Sequence, residues 1–335
     1  MKKTKLHISV RNLVEFIFRE GDIDNRRGQL ANPEAMLEGS KIHRKIQKSK
    51  GASYRAEVPL KYLVETELYE LTIDGRADGI FVNEEELVVI DEIKGVYMNL
   101  ERLEHPVYVH QAQAMCYAYI FAMQNQLEKI AIQMTYVNLD TEEKKYFQQE
   151  FSFEELSEWF QELMKSYKKW ADFQFEWKKK RQASIQKLEF PYEYREGQKQ
   201  LVSDVYRTIN RGKNLFIQAP TGVGKTISTI FPAVKAVGEN LADRIFYLTA
   251  KTITGTVAKE TFQLLREKGY VAKTIQLTAK EKLCLCEEME CNPGNCPYAK
   301  GHFDRVNDAV FELLQEREYL TGLAELFKNA GGEFY

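Results

Sequence analysis

Leu87-Val88-Val89-Ile90-Asp91-Glu92-Ile93-Lys94-Gly95 is the stretch on which the reading turns. Its first four residues form a short aliphatic, largely β-branched run, the pattern of a buried strand. Two acids and a lysine follow directly. Side chains alternate along a strand, so Glu92 and Lys94 point to one face. Upstream, Asp74-Gly75-Arg76-Ala77-Asp78-Gly79 leads through a second expected strand, Ala77 to Val82. Asp78 and the Glu92-x-Lys94 triplet are therefore expected on adjacent strands of one sheet. Two carboxylates so placed suit a hard divalent cation such as Mg²⁺ or Mn²⁺, which lowers the pKa of a bound water. Lys94 would position that water or stabilise charge growing on a phosphate. A lone acid-x-Lys triplet says little, because charged strand ends are common.

Working outward, helical spacing is visible around Val10 to Glu20, Pro33 to Lys48 and Val107 to Met123. Strand patterns cover Tyr62-Leu63-Val64, Tyr69 to Ile73 and the alternation Ile130, Ile132, Met134. Ser152-Phe153-Glu154-Glu155 has the form of a capping box, so a long helix is expected to start there and to run toward Lys178-Lys179-Lys180-Arg181. Periodicity fades over Gln182 to Glu189, which is read as the boundary. The expected division is a first domain over 1–182, a linker over 183–193 and a second domain over 194–335.

The second domain reads differently. After a helix from Gln198 come the short apolar run Leu215-Phe216-Ile217, a glycine loop, another helix and the run Ile245-Phe246-Tyr247-Leu248. That is the alternation of a parallel α/β sheet. The loop is Ala219-Pro220-Thr221-Gly222-Val223-Gly224-Lys225-Thr226. Backbone amides of such a turn and of the helix it opens point at phosphate oxygens, a role assigned to Thr221, Gly222 and Gly224. Lys225 can reach the β/γ-phosphates, and the Thr226 hydroxyl can hold Mg²⁺. ATP is the expected ligand.

Cys284, Cys286, Cys291 and Cys296 crowd into one stretch, while Cys116 stands alone. With no export signal this suggests a metal site in a reducing compartment more than a disulfide framework. Four thiolates can close a tetrahedral zinc site or hold a [4Fe-4S] cluster, and spacing does not choose.

The first domain resembles the PD-(D/E)XK nuclease superfamily, its RecB-like branch in particular. Gly39-Ser40-Lys41-Ile42-His43 matches the helix that carries a metal-binding histidine there, and Gln113-Ala114-Met115-Cys116-Tyr117 matches the branch's Gln-x-x-x-Tyr helix. The resemblance implies His43, Asp78 and Glu92 as metal ligands and Lys94, Gln113 and Tyr117 as further site residues. Glu57 is an additional candidate acid. Some RecB-like nucleases carry a four-cysteine cluster around this fold, but chain order places only Cys116 in the first domain, so that version is excluded here.

The second domain resembles superfamily-two helicases. Gln198, in Tyr194-Arg195-Glu196-Gly197-Gln198, stands where such proteins read the adenine edge, and Leu248-Thr249-Ala250-Lys251-Thr252 is similar to their DNA-contacting motif Ia. The cysteine stretch after it, read as region 280–305, resembles the DinG and XPD group, which implies a [4Fe-4S] cluster on Cys284, Cys286, Cys291 and Cys296 and 5′ to 3′ movement. The fold class expected is therefore α/β: a restriction-endonuclease-like domain, then a partial RecA-like parallel sheet bearing an iron-sulfur insertion.

Bulk properties agree with two domains. The chain has 335 residues, 44% of them hydrophobic, enough for two cores. With 47 basic and 49 acidic residues, any nucleic-acid surface must be a local patch. No apolar run approaches the roughly 20 residues of a membrane span, and the expected location is cytoplasmic. No Asp-Glu-x-His motif follows the cysteines, so the chain is read as part of a longer protein and as a poor ATPase by itself. The expectation is a metal-dependent DNA nuclease joined to an ATP-dependent helicase, acting in repair or defence on DNA with single-stranded regions. The alternative is a catalytically silent scaffold that positions DNA.

Overall fold

The computed structural model describes residues 3–26, 33–51, 53–220, 222–250, 252–277 and 279–316. In chain order it begins with β1 (Thr4–Ser9), α1 (Val10–Phe18), α2 (Pro33–Ser49), β2 (Arg55–Glu65), β3 (Tyr69–Val82) and β4 (Val88–Val96). Next come α3 (Tyr108–Asn125), β5 (Lys129–Asn138), β6 (Lys144–Ser152) and α4 (Phe153–Gln186). The helices α5 (Gln198–Asn210), α6 (Lys225–Gly238), α7 (Thr252–Glu267) and α8 (His302–Glu316) complete it. Two compact units emerge. One comprises the described residues of Met1–Asp172 and Cys284–Phe311, the other those of Phe173–Leu283 and Glu312–Tyr335. Chain order separates the cysteine segment from the first unit, and packing joins it there.

The first unit is a six-stranded mixed sheet in the order β1-β3-β4-β5-β6, with β2 also on β3. The sequence suggested two strands over Tyr69 to Val82. They are one, because β2 runs antiparallel along it from Glu70 to Ile80 and carries the ladder across Asp74-Gly75-Arg76. β1 and β6 had no counterpart in the reading. β6 is an edge strand whose one partner is β5, and its mostly polar, exposed residues lack a buried apolar face.

α3 is buried almost all round from Ala112 to Ala122, as its run of Ala, Met, Cys, Tyr, Ile and Phe requires of a central helix. It stops at Gln126, which takes a left-handed φ of 55° and donates its N–H to Ala122 O. On α2, Ile42 and Ile46 pack with Ile93 and Val137. The capping box forms: Ser152 Oγ accepts from Glu155 N at 3.2 Å and Glu155 Oε2 accepts from Ser152 N at 2.8 Å. The helix it opens continues past the expected boundary to Gln186.

In the second unit, Ile185, Leu188, Ile227, Ile230, Phe231, Val234 and Leu265 form a core between helices. The runs Leu215-Phe216-Ile217 and Ile245–Leu248, expected as strands, carry no ladder among the described residues. Phe216 is 95% and Leu248 89% exposed. Parallel strands draw their ladders from segments distant in sequence, and here these two runs do not pair with each other. No helix among the described residues is long and apolar enough to cross a membrane.

Candidate active site and nucleotide loop

β3 has partners on both edges. β2 takes one edge along nearly its full length, so β1, paired with Tyr69–Asp74, and β4, paired with Gly79–Val82, must share the other. Gly75, Arg76, Ala77 and Asp78 lie between them with no strand on that edge. This notch in the sheet is where the candidate site assembles. Beyond Asp91, β4 leaves β3 and pairs with β5 alone. Asp78 fills the parting: its Oδ2 accepts from Ile93 N at 2.8 Å, and its Oδ1 stands 3.5 Å from His43 Nδ1.

Glu92 and Lys94 meet on one face of β4, with Lys94 Nζ 2.9 Å from Glu92 Oε1. The same ammonium donates to Gln113 Oε1 on α3 at 3.1 Å. Gln113 in turn is hydrogen-bonded to Tyr117 one turn on. Tyr117 needs the notch, because its hydroxyl lies 2.5 Å from where a Cβ on Gly75 would sit. His43, Asp78, Glu92, Lys94, Gln113 and Tyr117 are thus brought together from α2, β3, β4 and α3.

The electrostatics are unusual at one residue. Glu92 is 1% exposed, and its Oε2 has no hydrogen-bond partner. Burial first, then the charge of Asp78, pushes its carboxyl up to about 8 against the opposing pull of Lys94 and His43. Burial works against protonation of His43, but the hydrogen bond to Asp78 and its charge outweigh it and raise the imidazole. An unpartnered buried carboxylate oxygen beside a second carboxylate is costly unless something cationic answers it. The donor set of Asp78, Glu92 and His43 fits a hard divalent ion on those grounds. Among the described residues no three His, Cys, Asp or Glu side chains close into a complete metal-binding group.

Several residues near the site carried no motif. Asp91 is fully buried and takes hydrogen bonds from Tyr54 at 2.9 Å, Thr135 at 2.5 Å and Gln133 at 3.2 Å, which anchors the strand that presents Glu92. Burial, opposed by these bonds, raises its carboxyl. His110 is lowered to about 4 by burial and then by Lys94 and Arg11. Arg11, on α1, is paired with Glu15 at 2.8 Å and within electrostatic reach of Glu92 and Tyr117. Glu57 lies outside the cluster: it accepts from Gln47 at 3.0 Å, and that amide also donates to Asp78 O at 2.9 Å.

In the second unit the glycine loop closes on itself. Gly222 and Gly224 take left-handed φ values of 85° and 77°, which favour glycine. Gly224 caps α6, so the helix opens at Lys225. Lys225 Nζ donates to Ala219 O at 3.0 Å and Pro220 O at 2.8 Å. Gln198 is 3% exposed and is bonded within the loop region, accepting from Arg195 N at 3.0 Å and donating to Val223 O at 3.2 Å. Thr226 sits in the first turn of α6, and Thr221 and Lys251 lie outside the described residues.

Of the cysteines, Cys286 and Cys296 bring their sulfurs to 3.8 Å. The bond to Cys296, then burial, raises the Cys286 thiol, and the adjoining Cys284 adds to it. Cys291 and Cys296 are buried. Four cysteines in one short segment, two with sulfurs 3.8 Å apart, have the donor chemistry a soft or borderline metal takes, though among the described residues no three of them close into a metal-binding group.

Comparison with known proteins matches two family models. The model of the PD-(D/E)XK nuclease superfamily matches residues 7–184. The chain belongs to the PD-(D/E)XK nuclease superfamily. The DEAD/DEAH box helicase model matches residues 195–285, so this nuclease-superfamily chain also carries a helicase domain. A probable ATP-dependent helicase of Methanocaldococcus jannaschii is 45% identical over 49 residues, 14% of this chain and 8% of that protein. The solved crystal structure of SSO0001 shares 20% identity with a TM-score of 0.32, over 49% of this chain and 78% of that one.

Proposed function

We propose that this chain cuts DNA by metal-dependent phosphodiester hydrolysis at Asp78, Glu92 and Lys94, and works with an ATP-driven helicase motor to which its second domain belongs. The observation that carries the reading is Glu92: a carboxylate buried in the sheet notch, one oxygen unpartnered, next to Asp78. Asp78, Glu92 and His43 would hold Mg²⁺ or Mn²⁺, which supplies Lewis acidity to the phosphate and acidity to a bound water. Lys94, steadied between Glu92 and Gln113, orients the attacking water and stabilises negative charge as it grows on the phosphoryl oxygens. Tyr117 holds Gln113, and through it the lysine.

In the motor, Gly222, Gly224, Lys225 and Thr226, with Thr221, would bind ATP and its Mg²⁺. Lys225, now donating to the Ala219 and Pro220 carbonyls, would supply its ammonium to the phosphates. Gln198 shapes the loop and would read the adenine edge. Cys284, Cys286, Cys291 and Cys296 would hold a [4Fe-4S] cluster of the DinG and XPD kind, on a 5′ to 3′ motor. DNA with single-stranded ends is the substrate, repair or defence against foreign DNA the setting, and the cytoplasm the compartment.

The test is degradation of end-labelled single- and double-stranded DNA with Mg²⁺ or Mn²⁺, comparing the chain, its Lys94→Ala variant and a chelated sample. Cutting falls by on the order of 10²- to 10³-fold in the variant and stops with the chelator. DNA that is bound by the unaltered chain but never cut overturns the nuclease reading in favour of a scaffold.

A further inference from the structure

We infer that the cysteine segment is a metal-set clamp on the nuclease unit: loading its thiols locks residues 291–304 against the loop at 21–25 and fixes the end of α1. The inference rests on the proposal that these cysteines hold a metal or cluster, and it adds where that binding is felt.

The contacts are reciprocal and mostly backbone. Ile23 N donates to Ala299 O and Asn25 N to Cys291 O, each at 2.9 Å, while Phe303 N donates back to Gly21 O at 2.9 Å. Two aspartates complete the exchange: Gly21 N donates to Asp304 Oδ1 and Gly301 N to Asp22 Oδ1, both at 2.6 Å. Around this ladder the Arg19 guanidinium lies 3.8 Å over the Phe303 ring, and Asn307 donates to Phe16 O at the last turn of α1 at 2.5 Å. Phe311 packs edge-on against Trp170 at 4.8 Å, which packs the same way on Phe16 at 4.7 Å.

Nothing of regular secondary structure supports one side of this joint. Residues 283–301 contain no helix or strand, and residues 19–26 contain none either. Short irregular segments of this kind lack the buried area to stay ordered unaided, and a bound metal commonly supplies the difference, its binding energy becoming folding energy. Cys291 and Cys296 are the buried members of the four, and Cys291 itself provides one of the carbonyls the loop grips. The order therefore passes from the thiols to the loop and then to α1, which packs on α3, the helix of Gln113 and Tyr117.

Hydrogen exchange reads the five donating amides directly. The full chain is purified anaerobically, its iron and zinc are measured, and exchange is compared with a chelator-stripped sample, with Cys296→Ser, and with the double variant Asp22→Ala, Asp304→Ala. Expected is metal in the purified chain, with amides 21, 23, 25, 301 and 303 exchanging about tenfold faster or more once it is stripped or Cys296 is replaced, while amides of β3 and β4 keep their rates. The aspartate variant keeps its metal and loses protection at the same amides. Should the stripped chain fail to fold, that variant decides: continued protection of amides 21, 23 and 25 overturns the clamp. Equal rates in loaded and stripped protein, or a purified chain without metal, overturn it too. A chain that shows the clamp and cuts no DNA leaves it standing and removes the nuclease reading instead.

Discussion

The two regions that carry chemistry are built in opposite ways. At the sheet notch, side chains reach across elements: Asp78 holds β4, Lys94 spans β4 and α3, and Asp91 anchors the strand from behind. At the glycine loop, the functional groups turn inward, Lys225 to the carbonyls of its own loop and Gln198 to the backbone around it. The first site has its geometry from long-range pairing, and its cost is a buried carboxylate. The second has its geometry from local backbone shape, with left-handed glycines and a helix start, and its flanking apolar runs stand exposed. Preorganisation thus resides in strand pairing in one region and in a turn in the other.

That contrast can be broken by mutation. The largest difference is expected between two apolar residues: Ile90→Ala, in the fully buried heart of β4, lowers the stability of the nuclease unit by about 3 kcal/mol, whereas Phe216→Ser, at 95% exposure, changes it by about 0.5 kcal/mol at most. Chemical denaturation followed by tryptophan fluorescence measures both, and equal losses would mean the exposed run is covered in solution. Next, Lys225→Ala weakens ATP binding by about 2 kcal/mol, roughly thirtyfold, through loss of charged hydrogen bonds. Fluorescent-nucleotide titration checks this, and the cutting of DNA stays as it was if the two sites are independent. A smaller loss is expected from Ser152→Ala, which removes the cap of α4 and costs about 1 kcal/mol. A melting temperature unchanged by it would mean that tertiary packing alone holds that helix start.

Legibility followed the range of the interactions. Glu92 and Lys94 on a common face, the Ser152 cap and the glycine loop could all be read, because each depends on residues a few positions apart. The meeting of Gln113 with Lys94 came only through resemblance, since a glutamine on a helix has no pattern of its own. The notch itself was invisible: it arises because β1, unread, and β4 share one edge of β3, which no local periodicity encodes. Asp91 and Arg11 escaped for the same reason. The expected strands at Leu215 and Ile245 were read correctly as apolar runs, but a run becomes a strand only when a neighbour supplies the ladder. The joint between residues 21–25 and the cysteine segment spans more than 260 positions of sequence, so no local pattern records it.

Gly75 shapes the notch by what it lacks. It bears no functional group and touches no reacting atom, yet the hydroxyl of Tyr117 occupies the space of its missing methyl. An inert position then behaves, in any screen for lost activity, like a member of the catalytic set. The tolerance of the site to variation is narrowest where its chemistry is blank, and the spacing between helix and sheet is inherited through one hydrogen atom.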